Sequence, residues 1–161
     1  MVRRTRRLEF AKAVAKTRLP IRICGVGWEP QLYRFKNVAY EGAVEMTRMA
    51  ELMRQTRIVL NTNVNFGAGS HERPLSAALA GAAVVSDNSR FYEREFGPDI
   101  ERYRWQDLGG AMQALQALAA EPRRAYEMAT RAHRKVMAHH LWEHRVGTII
   151  AAGEAVRGHV G

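Results

Sequence analysis

Short unbroken apolar runs alternate along this chain with stretches whose apolar residues recur every three or four positions. The runs read as buried strands and the periodic stretches as amphipathic helices. Residues 8–17 form a helical pattern with Leu8, Phe10, Ala11 and Ala15 inward, ended by Pro20. Residues 21–26 read as a strand stopped by Gly25, Gly27 and Pro30, and Val38, Ala39 and Tyr40 as a short extended piece before Gly42. Met46, Met49, Ala50 and Met53 mark a helix over 45–55, and a strand follows over 57–61. A polar, glycine-bearing loop occupies 61–72. Pro74 suits the first position of a helix that runs to 80 and is stopped by Gly81. Residues 82–86 are a buried strand, and Ser89 caps a short helix carrying Phe91, Tyr92 and Phe96. Residues 103–105 read as a short strand. Asp107 caps a helix with Leu108, Ala111, Met112, Leu115, Leu118 and Ala119 on one face. Pro122 opens a long helix to about 139, and a last helix covers 142–156.

This order predicts an α/β fold, a three-layer, Rossmann-like parallel sheet with helices on both faces. Neither an internal repeat nor a Pro/Gly linker divides it, so 1–161 reads as a single domain in which residues 1–7 are a basic lead free to be disordered. In such sheets ligands bind outside the carboxyl ends of the strands. That rule selects the loops 25–30, 40–44 and 61–73.

Charge changes the picture only locally. The net charge is +9, but residues 1–36 carry ten Lys/Arg against two Glu, while the remainder is nearly neutral. A basic end suits a phosphorylated ligand, anionic lipid or nucleic acid, or is simply a solvated helix. Arg3, Arg4, Arg6, Arg7, Lys12, Lys16, Arg18 and Arg22 would be the nucleic-acid surface. No recognition-helix, zinc-finger or single-strand signature accompanies them, so nucleic acid is the weaker reading. The apolar runs are too short to cross a membrane, and the start lacks an apolar signal region. The single cysteine, Cys24, lies in an apolar run and forbids an internal disulfide. These features together lead us to expect a cytoplasmic protein.

The third loop carries the chemistry. A strand, a glycine-bearing loop and a helix N-terminus hold phosphate well, because amides without helical partners and the helix dipole both face outward. Gly67 and Gly69 would let the backbone approach a ligand, Arg73 has a guanidinium fork that matches phosphate oxygens, and Glu72 can accept hydrogen bonds from sugar hydroxyls. On spacing alone, tight packing explains such a loop equally well.

The segment GAGSHERPLSAALAGAAVVSDNSRFYEREF resembles the donor site of retaining-type glycosyltransferases of the two-Rossmann (GT-B) architecture. It is similar in particular to the CgeB-like spore-maturation family. Leu60-Asn61, Gly69-Ser70-His71-Glu72-Arg73, Gly81-Ala82 and Ser86-Asp87 fall where that pattern requires. IRICGVGWE resembles the family's first C-domain strand and MAHHLWEHRVGTII its closing helix, so the likeness runs from about residue 8 to 152. It implies the C-terminal half of a GT-B enzyme, hexosyltransferase-like, with a nucleoside-diphosphate sugar as substrate and neither cofactor nor metal. Ser70, His71, Glu72 and Arg73, with Gly69, would hold the donor diphosphate. Gly27 and Trp28 would line the sugar-phosphate side, and Tyr40 would lie near the base. Wider relatives carry two Glu eight residues apart; Ala68 and Ser76 stand there in this chain. The same likeness implies a partner, an N-terminal acceptor domain that supplies the rest of the catalytic machinery. A face meant for that domain would favour a homodimer. Without the two Glu, the rival reading is a scaffold that keeps the fold but has lost transfer.

One other motif competes. His140-Leu141-Trp142-Glu143-His144 matches the pattern of inverted zinc peptidases, but the third ligand is lacking on another element and the family's closing helix accounts for the same residues. Asp87 would either contact a ligand or start a turn. Trp105 and Trp142 read as core or interface aromatics.

Overall fold

The computed structural model describes residues 2–63 and 66–158. Its elements follow the sequence pattern: α1 (Val2–Lys16), β1 (Ile21–Cys24), α2 (Glu29–Leu32), β2 (Val38–Gly42), α3 (Met46–Arg54) and β3 (Ile58–Asn61). There follow α4 (Glu72–Leu79), β4 (Ala83–Asp87), α5 (Arg90–Glu95), a 3-10 turn (Gly97–Asp99), β5 (Glu101–Tyr103), α6 (Leu108–Ala120), α7 (Pro122–His139) and α8 (Trp142–Gly158). The strands pair in parallel throughout, β1 with β2 and, separately, β3-β4-β5 with β4 central.

All five residues of β4 are buried, which is why Ala83, Val84 and Val85 are apolar without alternation. Its side chains nevertheless alternate between two cores. Ala83 and Val85 join Phe10 and Val14 of α1, Leu115 and Leu118 of α6, and Ala125, Met128 and Ala129 of α7. Val84 joins Met53 of α3, Ala77 and Ala78 of α4, and Tyr92, Phe96, Ile100, Ala132 and Val136 on the opposite face. β3 repeats the pattern, with Ile58 and Leu60 against the first core and Val59 against the second. Helices therefore cover both faces of a Rossmann-like parallel sheet, and α7 spans from one core to the other. Among the described residues no helix is long and apolar enough to cross a membrane.

Several boundaries differ from the sequence expectation. The basic lead is helical from Val2, as its arginines permit. β1 ends at Cys24, because Gly25 and Gly27 adopt φ of +109° and +82°. Pro30 sits in the first turn of the extra helix α2, where a missing N–H is tolerated. β5 comprises Glu101–Tyr103, so Trp105 lies beyond the strand rather than in it. α4 starts at Glu72 with His71 as its cap, which moves Pro74 from the first to the third helical position. Ser89 accepts the Tyr92 N–H and Asp107 the Gly110 N–H, as their positions ahead of helices predict.

Candidate functional site

The carboxyl ends of β3, β4 and β5 meet in a buried polar cluster unusual for a core. Asn61, Asn63, Ser86 and Asp87 are all buried, and each is spoken for by hydrogen bonds, as burial demands. Asn61 ends β3. Its amide donates to Ser86 Oγ at 2.9 Å, and its Oδ1 accepts from Arg73 Nη1 at 2.9 Å. Asn63 uses its whole side-chain amide: Nδ2 donates to the carbonyls of Phe66 (2.7 Å) and Gly69 (3.0 Å), and Oδ1 accepts the His71 N–H (3.1 Å). The Tyr92 hydroxyl reaches the same Oδ1 at 3.5 Å and lies 3.0 Å from Ser70 Oγ.

Asp87 closes the cluster from β4. Its Oδ1 accepts the Asn63 backbone N–H and its Oδ2 the Trp105 indole N–H at 2.8 Å. Burial pushes this carboxyl above the ordinary range, opposed by the hydrogen bonds from Asn63 and Trp105. The Tyr92 and Tyr103 hydroxyls are likewise pushed up by burial. Behind Asp87, Tyr103 stacks on Phe10 at 4.8 Å and Trp105 meets both rings edge-on. Arg6 of α1 covers the outer face of Trp105 at 5.7 Å.

On this base stands the mouth of α4. The first four amides of a helix have no intrahelical partner. Here the His71 amide is taken by Asn63, Pro74 has none, and that of Glu72 is met by its own carboxylate. The Glu72 carboxyl is held below its ordinary range by the His71 ring, whose Nδ1 lies 3.0 Å away, and by Glu72's own backbone N–H. A carboxylate thus already rests at the helix mouth, where the dipole favours negative charge. Arg73 is half-buried and aimed along the mouth by Asn61.

Known proteins give a family for this arrangement. A family profile described as glycosyl transferase-like matches residues 3–151. The chain belongs to the glycosyl transferase-like family. Among solved structures, this glycosyl transferase-like domain is similar to AviGT4, a glycosyltransferase involved in avilamycin A biosynthesis, at 22% identity and a TM-score of 0.45. The match covers 78% of this chain and 44% of that one, so the domain spans less than half the length of that relative. No curated protein matches the chain.

Within the domain, Gly69, Ser70, His71, Glu72 and Arg73 are brought together around Asn63 and Asn61. Gly69 does not need left-handed backbone, and a β-carbon there would meet Phe66 at an ordinary 3.6 Å. Ser76 lies a turn further along α4 and is exposed. Gly27 and Trp28 lie in the turn after β1, with Trp28 at the N-cap of α2, and Tyr40 lies in β2. Among the described residues no hydrogen bond or ion pair joins them to α4. The Trp28 indole packs by Gly25, and the Tyr40 hydroxyl is buried without a hydrogen-bond partner. An open cleft of about 410 Å³ along β5, lined by Arg102, Arg104 and Arg124, shares no residue with the mouth of α4.

The sequence reading missed Asn63 and Tyr92 as site residues and placed Trp105 only as an aromatic. The signal was the pair Asn61 and Asn63 straight after an apolar strand, polar residues where the chain enters the core. His140 and His144 are engaged otherwise than as a metal pair. His140 packs against Phe91 and Phe96 at 5.5 Å each, and His144 Nδ1 accepts the Leu141 N–H. Among the described residues no three His, Cys, Asp or Glu side chains converge as a metal set.

Proposed function

We propose that this domain holds the diphosphate of a nucleoside-diphosphate sugar at the mouth of α4. The observation that carries the reading is the Arg73 guanidinium, oriented by buried Asn61 at a helix mouth whose Glu72 amide already attracts the Glu72 carboxylate. Dipole, amides and guanidinium together neutralise the charge that grows on a departing diphosphate, so the domain needs no metal for that task. The sequence likeness supports reading it as the C-terminal, donor-binding half of a CgeB-like GT-B enzyme that transfers a hexosyl group. The acceptor and the remaining machinery then belong to a second domain. Val26 beyond β1 and Met46 at the start of α3, exposed at 81% and 84%, give that domain apolar side chains to meet.

Calorimetric titration with UDP, GDP and dTDP, with and without magnesium, tests the reading. Saturable, metal-independent binding of one nucleotide is expected, weakened by about 1–3 kcal/mol in Arg73→Ala. Equal affinity in the two proteins would remove Arg73 from the site. A second reading rests on Ser76: an exposed hydroxyl stands where wider relatives carry a carboxylate. In that case the nucleotide binds but its sugar adds nothing to affinity.

A further inference from the structure

The backbone of residues 66–71, ahead of α4, is held in an arrangement that favours an anion in a way the helix alone does not. A peptide carbonyl directed at a diphosphate repels it, and a loop preceding a helix mouth has several such oxygens. Here three are turned away. The Phe66 and Gly69 carbonyls both accept from Asn63 Nδ2, at 2.7 and 3.0 Å, and the Gly67 carbonyl accepts the Arg90 N–H at 3.1 Å. The other end of the Asn63 amide takes the His71 N–H. Asn63 is 3% exposed and Asp87 4%, and Asp87 holds Asn63 by its backbone N–H. None of these side chains reaches the surface that a ligand would touch.

We propose that Asn63, anchored by the Asp87 carboxylate, is a positioning residue for the donor diphosphate: it withdraws the loop carbonyls so that the mouth of α4 presents donors and not acceptors. The proposal rests on the donor reading above and adds to it the pair that makes the loop selective for an anion. Its chemistry is specific. Only a side chain with two N–H donors and a carbonyl on one planar group satisfies both carbonyls and the His71 amide. An aspartate at this position has no donor for the two carbonyls and adds a charge beside Asp87. The carboxylate of Asp87 is equally particular, because each oxygen faces an N–H. An asparagine there would set its own NH₂ against either the Asn63 amide or the Trp105 indole.

Three variants are to be compared with the wild-type domain: Asn63→Ala, Asn63→Asp and Asp87→Asn. The probe is whichever of UDP, GDP or dTDP the wild type binds. Thermal melting and amide hydrogen exchange are followed alongside. Expected are single cooperative melts and faster exchange at the His71 and Arg90 amides. Affinity should fall about tenfold in Asn63→Ala, and further in Asn63→Asp, where a donor is replaced by a charge. The titratable groups facing Asp87 are Tyr92 and Tyr103, with Arg6 reaching it only across Trp105. Wild-type affinity should therefore decline as pH falls through the raised range of Asp87, and that component should vanish in Asp87→Asn. The nucleotide's own titration is common to both proteins and cancels in the comparison. A variant that merely loosens the fold would lower the melting point without removing one arm of the pH profile. Wild-type binding with unchanged affinity in Asn63→Ala and Asn63→Asp overturns the positioning role and leaves the donor reading intact. If the wild type binds none of the three nucleotides while its His71 and Arg90 amides stay protected, the donor reading fails and takes the positioning role with it.

Discussion

Glu72 rests where an anionic ligand would sit, and that placement has a measurable consequence. Its side chain is 76% exposed, so it is displaced cheaply, but it still competes for the helix-mouth amides. Glu72→Gln should therefore strengthen binding of a nucleoside diphosphate without sugar by about 0.3–1 kcal/mol, the scale of one charge at a helix N-terminus. Titration of the two proteins decides it, and weaker binding would make Glu72 a ligand contact instead. Asp99 presents the opposite case, a buried carboxylate with its partners in place. Burial alone would raise its pKa, but hydrogen bonds and charge from Lys135 (2.8 Å) and Arg131 (2.6 Å) outweigh it and hold the group below its ordinary range. A carboxylate with a lowered folded-state pKa stabilises the protein above its unfolded value, about 3.9, and loses that contribution as pH falls through the folded one. Asp99→Asn should cost about 1–2 kcal/mol at neutral pH, since Arg131 and Lys135 stay partly solvated. The gap from wild type should narrow in acid denaturation curves as pH falls below about 4.

At the scale of elements, the ends of the helices separate what the sequence declared from what it concealed. Gly81 follows α4 at φ +83°, the left-handed position that a glycine after an apolar helix signals. A β-carbon there meets nothing within 4 Å, so Gly81→Ala costs backbone strain alone, about 1 kcal/mol. Arg18 stands at φ +63° after α1, a site with the same geometry and the wrong residue. Arg18→Gly should stabilise by about 0.5–1 kcal/mol, seen as a higher urea midpoint with unchanged slope. Strand and helix order, the caps Ser89 and Asp107, and the strand-loop-helix at residues 58–79 were legible because periodicity and capping are local. Residues whose meaning is set by distant partners were not. Nothing near Asn63 in sequence announces that Tyr92 and Asp87 will enclose it, and nothing in the run before Trp105 shows that its indole turns back to Asp87.

For the whole molecule, the two cores account for stability without the last helix. The buried residues of both come from α1, α3 and the elements from α4 to α7, with Leu141 packed at the margin. Among the described residues α8 adds none to either core; instead Trp142, Val146, Ile149 and Ile150 are exposed along it. A chain ending at Leu141 should melt cooperatively within about 3 °C of the full one, a small shift for a domain of this size. A large fall would mean that α8 packs more closely than these contacts indicate. The β1-β2 pair is attached through Leu19 and Ile21 to the first core, so it shares one side of the molecule with α1 and α6.

Trp105 gives this architecture a built-in optical gauge. Exciting an indole moves electron density from its pyrrole ring toward its benzene ring, so a negative charge at the pyrrole nitrogen lowers the excited state and reddens the emission. The Asp87 carboxylate is bonded to that nitrogen. With Trp28 and Trp142 replaced by phenylalanine, the remaining fluorescence should shift to the blue as Asp87 takes up its proton, reporting by colour the charge state of a carboxyl that no solvent-borne probe can reach.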